Sequence, residues 1–123
     1  IETIGDRNWE QSSAVQEVRI SGCFSGQIGN QNWKNCASIT KFYLDADDSS
    51  ASIGSNNFEL CSSLTQLYIA ANCSSGFWQG TNNFLNINNN AIFFVDSSVF
   101  SEYNNATFSG SQGIPNGVTM QSI

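Results

Sequence analysis

The amino-acid sequence predicts a repeat solenoid, with a parallel β-sheet on one face and turns and short helical segments on the other. Three observations lead to this prediction: a motif recurs along the chain, each copy ends in alternating apolar and polar residues, and Ser and Asn replace charge as the main source of polarity. Regular internal self-similarity indicates stacked units that share one core. We therefore expect residues 1–123 to form a single domain.

The recurring motif starts with Ile-Gly, continues with Asn and an aromatic residue, and ends in a short apolar alternation. Its clearest copies read IGDRNWEQSSAVQEVRI from Ile4, IGNQNWKNCASITKFYL from Ile28 and IGSNNFELCSSLTQLYI from Ile53. A fourth copy, QGTNNFLNINNNAIFFV from Gln79, has a weaker start, and a fifth begins near Tyr103. The starts at 4, 28, 53, 79 and 103 predict about five repeats of 24–26 residues.

The alternation that closes each copy predicts a short strand with one buried face, because successive side chains of a strand point to opposite sides. The predicted strands are Val15–Ile20, Ile39–Leu44, Leu64–Ile69 and Asn90–Val95. One turn of chain separates consecutive strands, so we expect them to stack in parallel, about 4.8 Å apart. The Gly after each Ile is expected to relieve a tight bend.

One aromatic residue per repeat is expected to stack on its neighbours at the edge of the core. This aromatic column is Trp9, Trp33, Phe58, Phe84 and Phe108. The Asn residues beside it are predicted to form an asparagine ladder, in which side-chain amides satisfy backbone groups from turn to turn. The ladder is Asn8, Asn32, Asn57 and Asn83. A ligand site built from these four amides is the alternative.

The motif resembles the BspA-like branch of the leucine-rich repeats, whose repeat reads roughly I-G-x-x-A-F-x-x-C-x-S-L-T-x-(I/V)-x-I. The match covers nearly the whole chain and is closest in IGNQNWKNCASITKF and IGSNNFELCSSLT. One departure is regular, since Asn stands where the family usually has Ala. The resemblance implies a leucine-rich-repeat fold and a cell-surface or extracellular protein that acts in adhesion. It also implies that Cys36 and Cys61 are buried thiols.

Cys36 and Cys61 occupy the same repeat position, so they are expected on adjacent turns, where a disulfide remains the alternative to two unpaired thiols. Cys23 and Cys73 are expected two turns apart, about 10 Å, which is too far for a bond. The sequence has no CxxC motif and no His, so no zinc site is predicted.

Composition excludes several classes of function. Four basic residues and a net charge of −6 argue against nucleic-acid binding, which needs clustered Lys and Arg. Without a long apolar run, no membrane insertion is expected. The absence of His removes Ser-His and Cys-His nucleophiles, and no pair of acids is marked out for glycoside hydrolysis, so we predict no enzyme and no cofactor.

Two loop features remain open. The acidic run from Asp45 through Asp47 and Asp48 to Ser49 is interpreted as a solvated loop, with a Ca²⁺ site as the alternative. Two Asn-x-Ser/Thr sequons make Asn72 and Asn105 candidate glycosylation sites.

The outward positions of the predicted strands form two columns, which together make the candidate binding face. One column is Glu17, Lys41, Gln66 and Ile92, and the other is Arg19, Tyr43, Tyr68 and Phe94. Register places Glu17 beside Lys41, and Arg19 within cation–π reach of Tyr43. Exposed aromatic stripes often mark a contact surface, although these rings would also simply cover the sheet.

We therefore expect a non-enzymatic, extracellular or cell-surface module that binds a protein or glycan partner through this face. The alternative is a structural subunit that stacks head to tail into a filament. In that arrangement the 21 residues from Tyr103 to the last residue join the three before Ile4 in the next copy, which completes one more period of 24.

Overall fold

The computed structural model describes residues 3–47 and 49–123. Its elements in chain order are β1 (Thr3–Ile4), β2 (Glu17–Phe24), β3 (Gln27–Ile28), β4 (Lys41–Ala46), β5 (Ser52–Ile53), β6 (Gln66–Ile69), a 3₁₀ helix (Ser75–Phe77), β7 (Ile92–Val95), α1 (Phe100–Tyr103), α2 (Ala106–Ser111) and β8 (Thr119–Ser122).

Within the described ranges the strands form two parallel sheets. The larger has five strands in the order β2-β4-β6-β7-β8, and the smaller has three in the order β1-β3-β5. Glu17 lies opposite Lys41, Lys41 opposite Gln66, and Gln66 opposite Ile92, which confirms the predicted register of the four strands. Each strand starts two residues later than predicted because the chain is still turning there: Ile39 N donates to Cys36 O at 3.3 Å.

The predicted fold class is wrong, since the chain is a small α/β domain with two parallel sheets rather than a repeat solenoid with one. The smaller sheet, β1-β3-β5, is formed by residues that were predicted to lie in turns and short helical segments. Helices are short and, in the part of the chain that the structure describes, lie between Ser75 and Ser111. The Ile of the motif ends each strand of the smaller sheet, at Ile4, Ile28 and Ile53, and the Gly follows directly after the strand.

Glycine permits this second sheet by allowing backbones to approach closely. A Cβ on Gly29 would lie 2.9 Å from the carbonyl carbon of Gly5, and one on Gly54 would lie 2.8 Å from the carbonyl oxygen of Gly29. Neither glycine has a positive φ. A bend follows each of these glycines, at Asn30 and Ser55, as predicted, and the close approach of neighbouring backbones adds a steric reason for glycine at both positions.

The inward residues of both sheets belong to one hydrophobic core. Phe42, Leu67 and Phe93 from the larger sheet and Ile28 and Ile53 from the smaller are all buried in the same cluster. Alternation along the larger sheet is regular, because β4, β6 and β7 each alternate partly exposed and buried residues. The outward side chains of these strands are thereby fixed on the face opposite the core.

Four members of the predicted aromatic column stack in parallel planes. Ring centroids are 5.3 Å apart for Trp9 and Trp33, 5.1 Å for Trp33 and Phe58, and 5.8 Å for Phe58 and Phe84, with interplanar angles of 2–7°. Phe108 was wrongly placed in this column. It sits on α2 and packs edge-on against other rings, because a helix replaces the turn that the earlier copies form.

Candidate binding surface

The outward face of the larger sheet carries a continuous row that starts with a cation and continues with three aromatic rings. Arg19 Cζ lies 4.7 Å from the Tyr43 ring centroid. Tyr43 and Tyr68 have centroids 6.5 Å apart, and Tyr68 and Phe94 stack at 4.9 Å with an angle of 15°. All three rings are partly exposed, and parallel pairing places them in register across β4, β6 and β7. The structure therefore brings together the outward column that the sequence predicts, which is Arg19, Tyr43, Tyr68 and Phe94.

The second outward column holds Glu17, Lys41, Gln66 and Ile92 at matching positions. The expected Glu17–Lys41 ion pair is not the one that forms, because the Glu17 carboxylate lies 3.6 Å from Arg19, two residues along the same strand. The side chains of Arg19 and Glu17 are 52% and 44% exposed, so this pair contributes little stability. Gln66 accepts a hydrogen bond from the Tyr68 hydroxyl at 3.3 Å and so ties the two columns together.

The sequence did not reveal the last strand of this face. In β8, Thr119 pairs with Ile92 and Gln121 pairs with Phe94, and both β8 residues are exposed. After Tyr103 the motif matches the earlier copies too poorly to predict this strand. The alternation of apolar and polar residues from Val118 to Gln121 was a weak signal for it. The candidate binding face therefore has a charged edge at β2, an aromatic middle and a polar edge at β8.

The asparagine ladder forms as a chain of amides behind the aromatic column. Each backbone N–H and side-chain Nδ2 donates to Oδ1 of the next Asn, with distances of 3.1 and 2.9 Å for Asn8 to Asn32, 3.0 and 3.3 Å for Asn32 to Asn57, and 3.0 and 3.1 Å for Asn57 to Asn83. Asn57 Nδ2 also donates to Gly29 O at 3.0 Å. Asn32, Asn57 and Asn83 are fully buried, so these three amides stabilise the fold and offer no ligand site, whereas Asn8 is exposed.

Gln112 extends the ladder, and the sequence analysis missed it. Asn83 Nδ2 donates to Gln112 Oε1 at 2.9 Å, and Gln112 Nε2 donates to Gly80 O at 2.9 Å. Because Gln112 follows α2, it lies outside the motif frame that located the four asparagines. A second polar series was also missed: Asn30 N donates to Asp6 Oδ1, and Ser55 N donates to Asn30 Oδ1, each at 2.7 Å.

The structure confirms that Cys36 and Cys61 are unpaired thiols. Cys36 Sγ donates to Trp9 O at 3.0 Å, and Cys61 Sγ donates to Trp33 O at 3.1 Å. Burial raises the pKa of the Cys61 thiol to about 12 and also raises that of Cys36. Both stay protonated at neutral pH and are poor nucleophiles.

The other two cysteines have different surroundings. Cys73 is buried, accepts from Ala46 N at 3.1 Å and lies 3.4 Å from Ala46 O. Cys23 is exposed, with a φ of 54°, where the pairing of β2 and β4 is irregular.

Both candidate glycosylation sites are exposed, and they differ in geometry. Asn72 has a φ of 64° in the loop that follows β6. Asn105 Oδ1 accepts from Thr107 N at 2.8 Å and caps the start of α2.

The acidic loop is tied to its own backbone and side chains. Asp47 Oδ1 accepts from Ser49 Oγ at 2.7 Å and from Ser49 N at 3.1 Å, and these hydrogen bonds lower the pKa of Asp47. Asp48, which belongs to the same predicted run, lies outside the described residues. Among the described residues, those of this loop included, no group of three or more His, Cys, Asp or Glu side chains is placed to hold a metal ion.

A carboxylate that the sequence analysis did not single out joins α1 to the 3₁₀ helix. Glu102 Oε1 accepts from Ser74 Oγ at 2.8 Å, from Ser75 N at 3.1 Å and from Ser75 Oγ at 3.2 Å. These hydrogen bonds, that from the Ser74 hydroxyl first, lower the pKa of Glu102.

Across the described ranges, no helix has the length and apolarity that crossing a membrane requires.

Comparison with known proteins identifies no relative of this chain. No protein-family model matches the chain, and no curated protein or solved structure matches it either. The resemblance to the BspA-like leucine-rich repeats therefore remains a prediction from the motif.

Proposed function

We propose that the chain is a non-enzymatic, extracellular or cell-surface binding module, and that the outward face of its five-stranded sheet contacts a protein partner. The observation that carries the proposal is the row Arg19, Tyr43, Tyr68 and Phe94. Aromatic residues and Arg are enriched in protein interfaces, where they supply large contact areas at low entropic cost.

A protein fits this surface better than a glycan does. Sugars stack on open ring faces, whereas the Tyr68 and Phe94 rings stack on each other with centroids 4.9 Å apart, so each covers one face of the other. The face also has charged residues at its β2 edge and polar residues at its β8 edge, which matches an interface with an apolar centre and a polar rim. The candidate glycosylation sites, Asn72 and Asn105, lie outside the strands of this sheet.

The head-to-tail filament is the less supported alternative. Gln112 lies at the last step of the ladder, and its N–H donates to Phe108 O at 3.0 Å within the turn that follows α2. That N–H is therefore not available to continue the ladder into a second copy.

The experiment is a binding screen of the intact chain against immobilised matrix proteins and glycans, followed by point variants. Tyr68→Ala should weaken binding to the protein partner by about tenfold or more, because it removes the central ring of the row. Leu60→Ala is the matched control, since Leu60 is an exposed apolar residue in a turn away from the sheet. Retention of full affinity by Tyr68→Ala, in a variant with an unchanged circular dichroism spectrum, would refute the proposal.

A further inference from the structure

The outward face of the larger sheet has a third column, which borders the row of aromatic rings where the strands end. Asp45 is the last outward residue of β4, and Ala70 and Asp96 follow directly after β6 and β7. Ala70 N donates to Leu44 O at 2.9 Å and Asp96 N donates to Ile69 O at 3.0 Å, so the pairing of the sheet continues through this column. Asp45, Ala70 and Asp96 are all partly exposed, and we call them the acidic border.

The acidic border places two carboxylates on either side of a small residue. Neighbouring strands lie about 4.8 Å apart, so the backbones of Asp45 and Asp96 are about 10 Å apart, with Ala70 between them. Ala70 contributes one methyl group. The Tyr68 hydroxyl donates to Gln66 Oε1 at 3.3 Å, two residues back along β6, rather than to either carboxylate. A gap therefore lies over Ala70, between the two carboxylates and beside the Tyr68 ring.

Both carboxylates are free to bind a cation. No described residue donates a hydrogen bond to the Asp45 carboxylate or pairs with its charge. Asp96 Oδ1 accepts from Ser98 N at 2.9 Å, and this hydrogen bond lowers the pKa of Asp96, which is therefore ionised at neutral pH. Lys41, the cation on the same strand as Asp45, begins β4 and lies about 13 Å away along that strand. The negative charge of the acidic border is therefore left uncompensated.

The charges of the whole chain add to this local excess. The last basic residue is Lys41, and the residues up to it hold four acidic and four basic side chains, so the net charge of −6 comes from the residues after it. Those six acids are Asp45, Asp47, Asp48, Glu59, Asp96 and Glu102. A surface with charge of one sign attracts and orients a partner of the opposite sign.

Given the proposed function, on which this step rests, we infer that the protein partner presents a basic segment. One Arg or Lys side chain of that segment lies over Ala70, with its cation between Asp45 and Asp96. Its apolar stem lies against the Tyr68 ring, and its N–H groups donate to the carboxylates. Arg fits better than Lys, because the planar guanidinium stacks on aromatic faces and donates to carboxylates in a fixed fork.

The molecule contains a contact of the same kind at the β2 edge of the face. Arg19 Cζ lies 4.7 Å from the Tyr43 ring centroid, and the guanidinium lies 3.6 Å from the Glu17 carboxylate. One ring and one carboxylate therefore hold an Arg side chain there. The acidic border offers one ring and two carboxylates, and no Lys or Arg of the described chain pairs with them.

The test measures binding of a fluorescein-labelled oligoarginine peptide to the intact chain by fluorescence anisotropy. Oligocitrulline is the matched peptide, because citrulline keeps the shape of Arg without its charge. Asp45→Asn and Asp96→Asn each remove one charge and keep the size of the side chain, and Glu10→Gln removes one charge in a turn outside this sheet. The chain is produced without N-glycosylation, because Asn72 lies close after Ala70 in the sequence.

We expect saturable binding of oligoarginine that Asp45→Asn and Asp96→Asn each weaken by about threefold or more, which is the effect of losing a partly exposed ion pair. Tyr68→Ala should also weaken it, Glu10→Gln should change the affinity little, and oligocitrulline should not bind. No binding of oligoarginine at millimolar concentration, equal weakening by Glu10→Gln, or equal binding of oligocitrulline would overturn the inference. In each of those cases, weaker binding of the Tyr68→Ala variant to a protein from the binding screen would leave the proposed function standing.

Discussion

Replacement of Asn57 by Ala tests whether the asparagine ladder stabilises the fold. Asn57 Oδ1 accepts from the backbone N–H and the side chain of Asn32 at 3.0 and 3.3 Å, and its Nδ2 donates to Gly29 O and to Asn83 Oδ1. Truncation leaves these buried groups without partners, and an unsatisfied buried polar group costs about 1–3 kcal/mol. Because the affected groups share one site and relax together, we expect a loss of about 3–5 kcal/mol in the free energy of unfolding.

Asn8→Ala is the internal control, because Asn8 is exposed and its amide has water as an alternative partner. We expect it to cost about 1 kcal/mol or less. Urea unfolding followed by far-ultraviolet circular dichroism measures both variants, and equal slopes against urea concentration would show that the same surface is exposed on unfolding. Equal losses for the Asn57 and Asn8 variants would refute the argument, since burial would then not determine the cost of a missing ladder amide.

Three further predictions concern stability. Trp33→Ala should lower the free energy of unfolding by about 3–5 kcal/mol in urea melts, because the ring fills space between Trp9 and Phe58; a loss near zero would contradict that packing. Leu60 has a φ of 64°, in the left-handed region that Asn adopts more readily than Leu because its short polar side chain can hydrogen-bond the local backbone. Leu60→Asn should therefore raise the melting temperature by a few degrees, corresponding to about 0.5–1 kcal/mol; a lower melting temperature would show that the Leu60 side chain contributes to packing. The pKa of Glu102 is lowered in the folded chain, so the carboxylate stabilises the fold fully above its ordinary pKa of 4.5, and this stabilisation is lost as pH falls through the lowered pKa. Glu102→Gln should therefore flatten the decline in the free energy of unfolding below pH 4.5. An unchanged decline would show that other groups cause it.

Sequence reasoning located the larger sheet and its outward residues because three signals coincided: a fixed position for Asn, an aromatic neighbour and a period-two ending. The smaller sheet was not predicted because each of its strands is two residues long, which is too short to show an alternation of apolar and polar residues. Close backbone approach at Gly29 and Gly54 depends on how turns stack, and this is not visible along the chain. Phe108 and Gln112 were missed or misplaced for a related reason, since the motif disappears where helices replace the turn.

The ladder also indicates where the chain would tolerate added residues. Ten positions separate each ladder Asn from the first buried residue of the following strand: Asn8 from Val18, Asn32 from Phe42, Asn57 from Leu67 and Asn83 from Phe93. The spacing between successive ladder residues nevertheless grows from 24 to 25 to 26, so the extra residues lie after the strands. A loop placed there lengthens a surface connection at small entropic cost, whereas one extra residue between an Asn and its strand would turn the core-facing side chains outward. Epitopes or reporter peptides therefore belong in the loop after β6, near Ala71 and Asn72, which are both exposed.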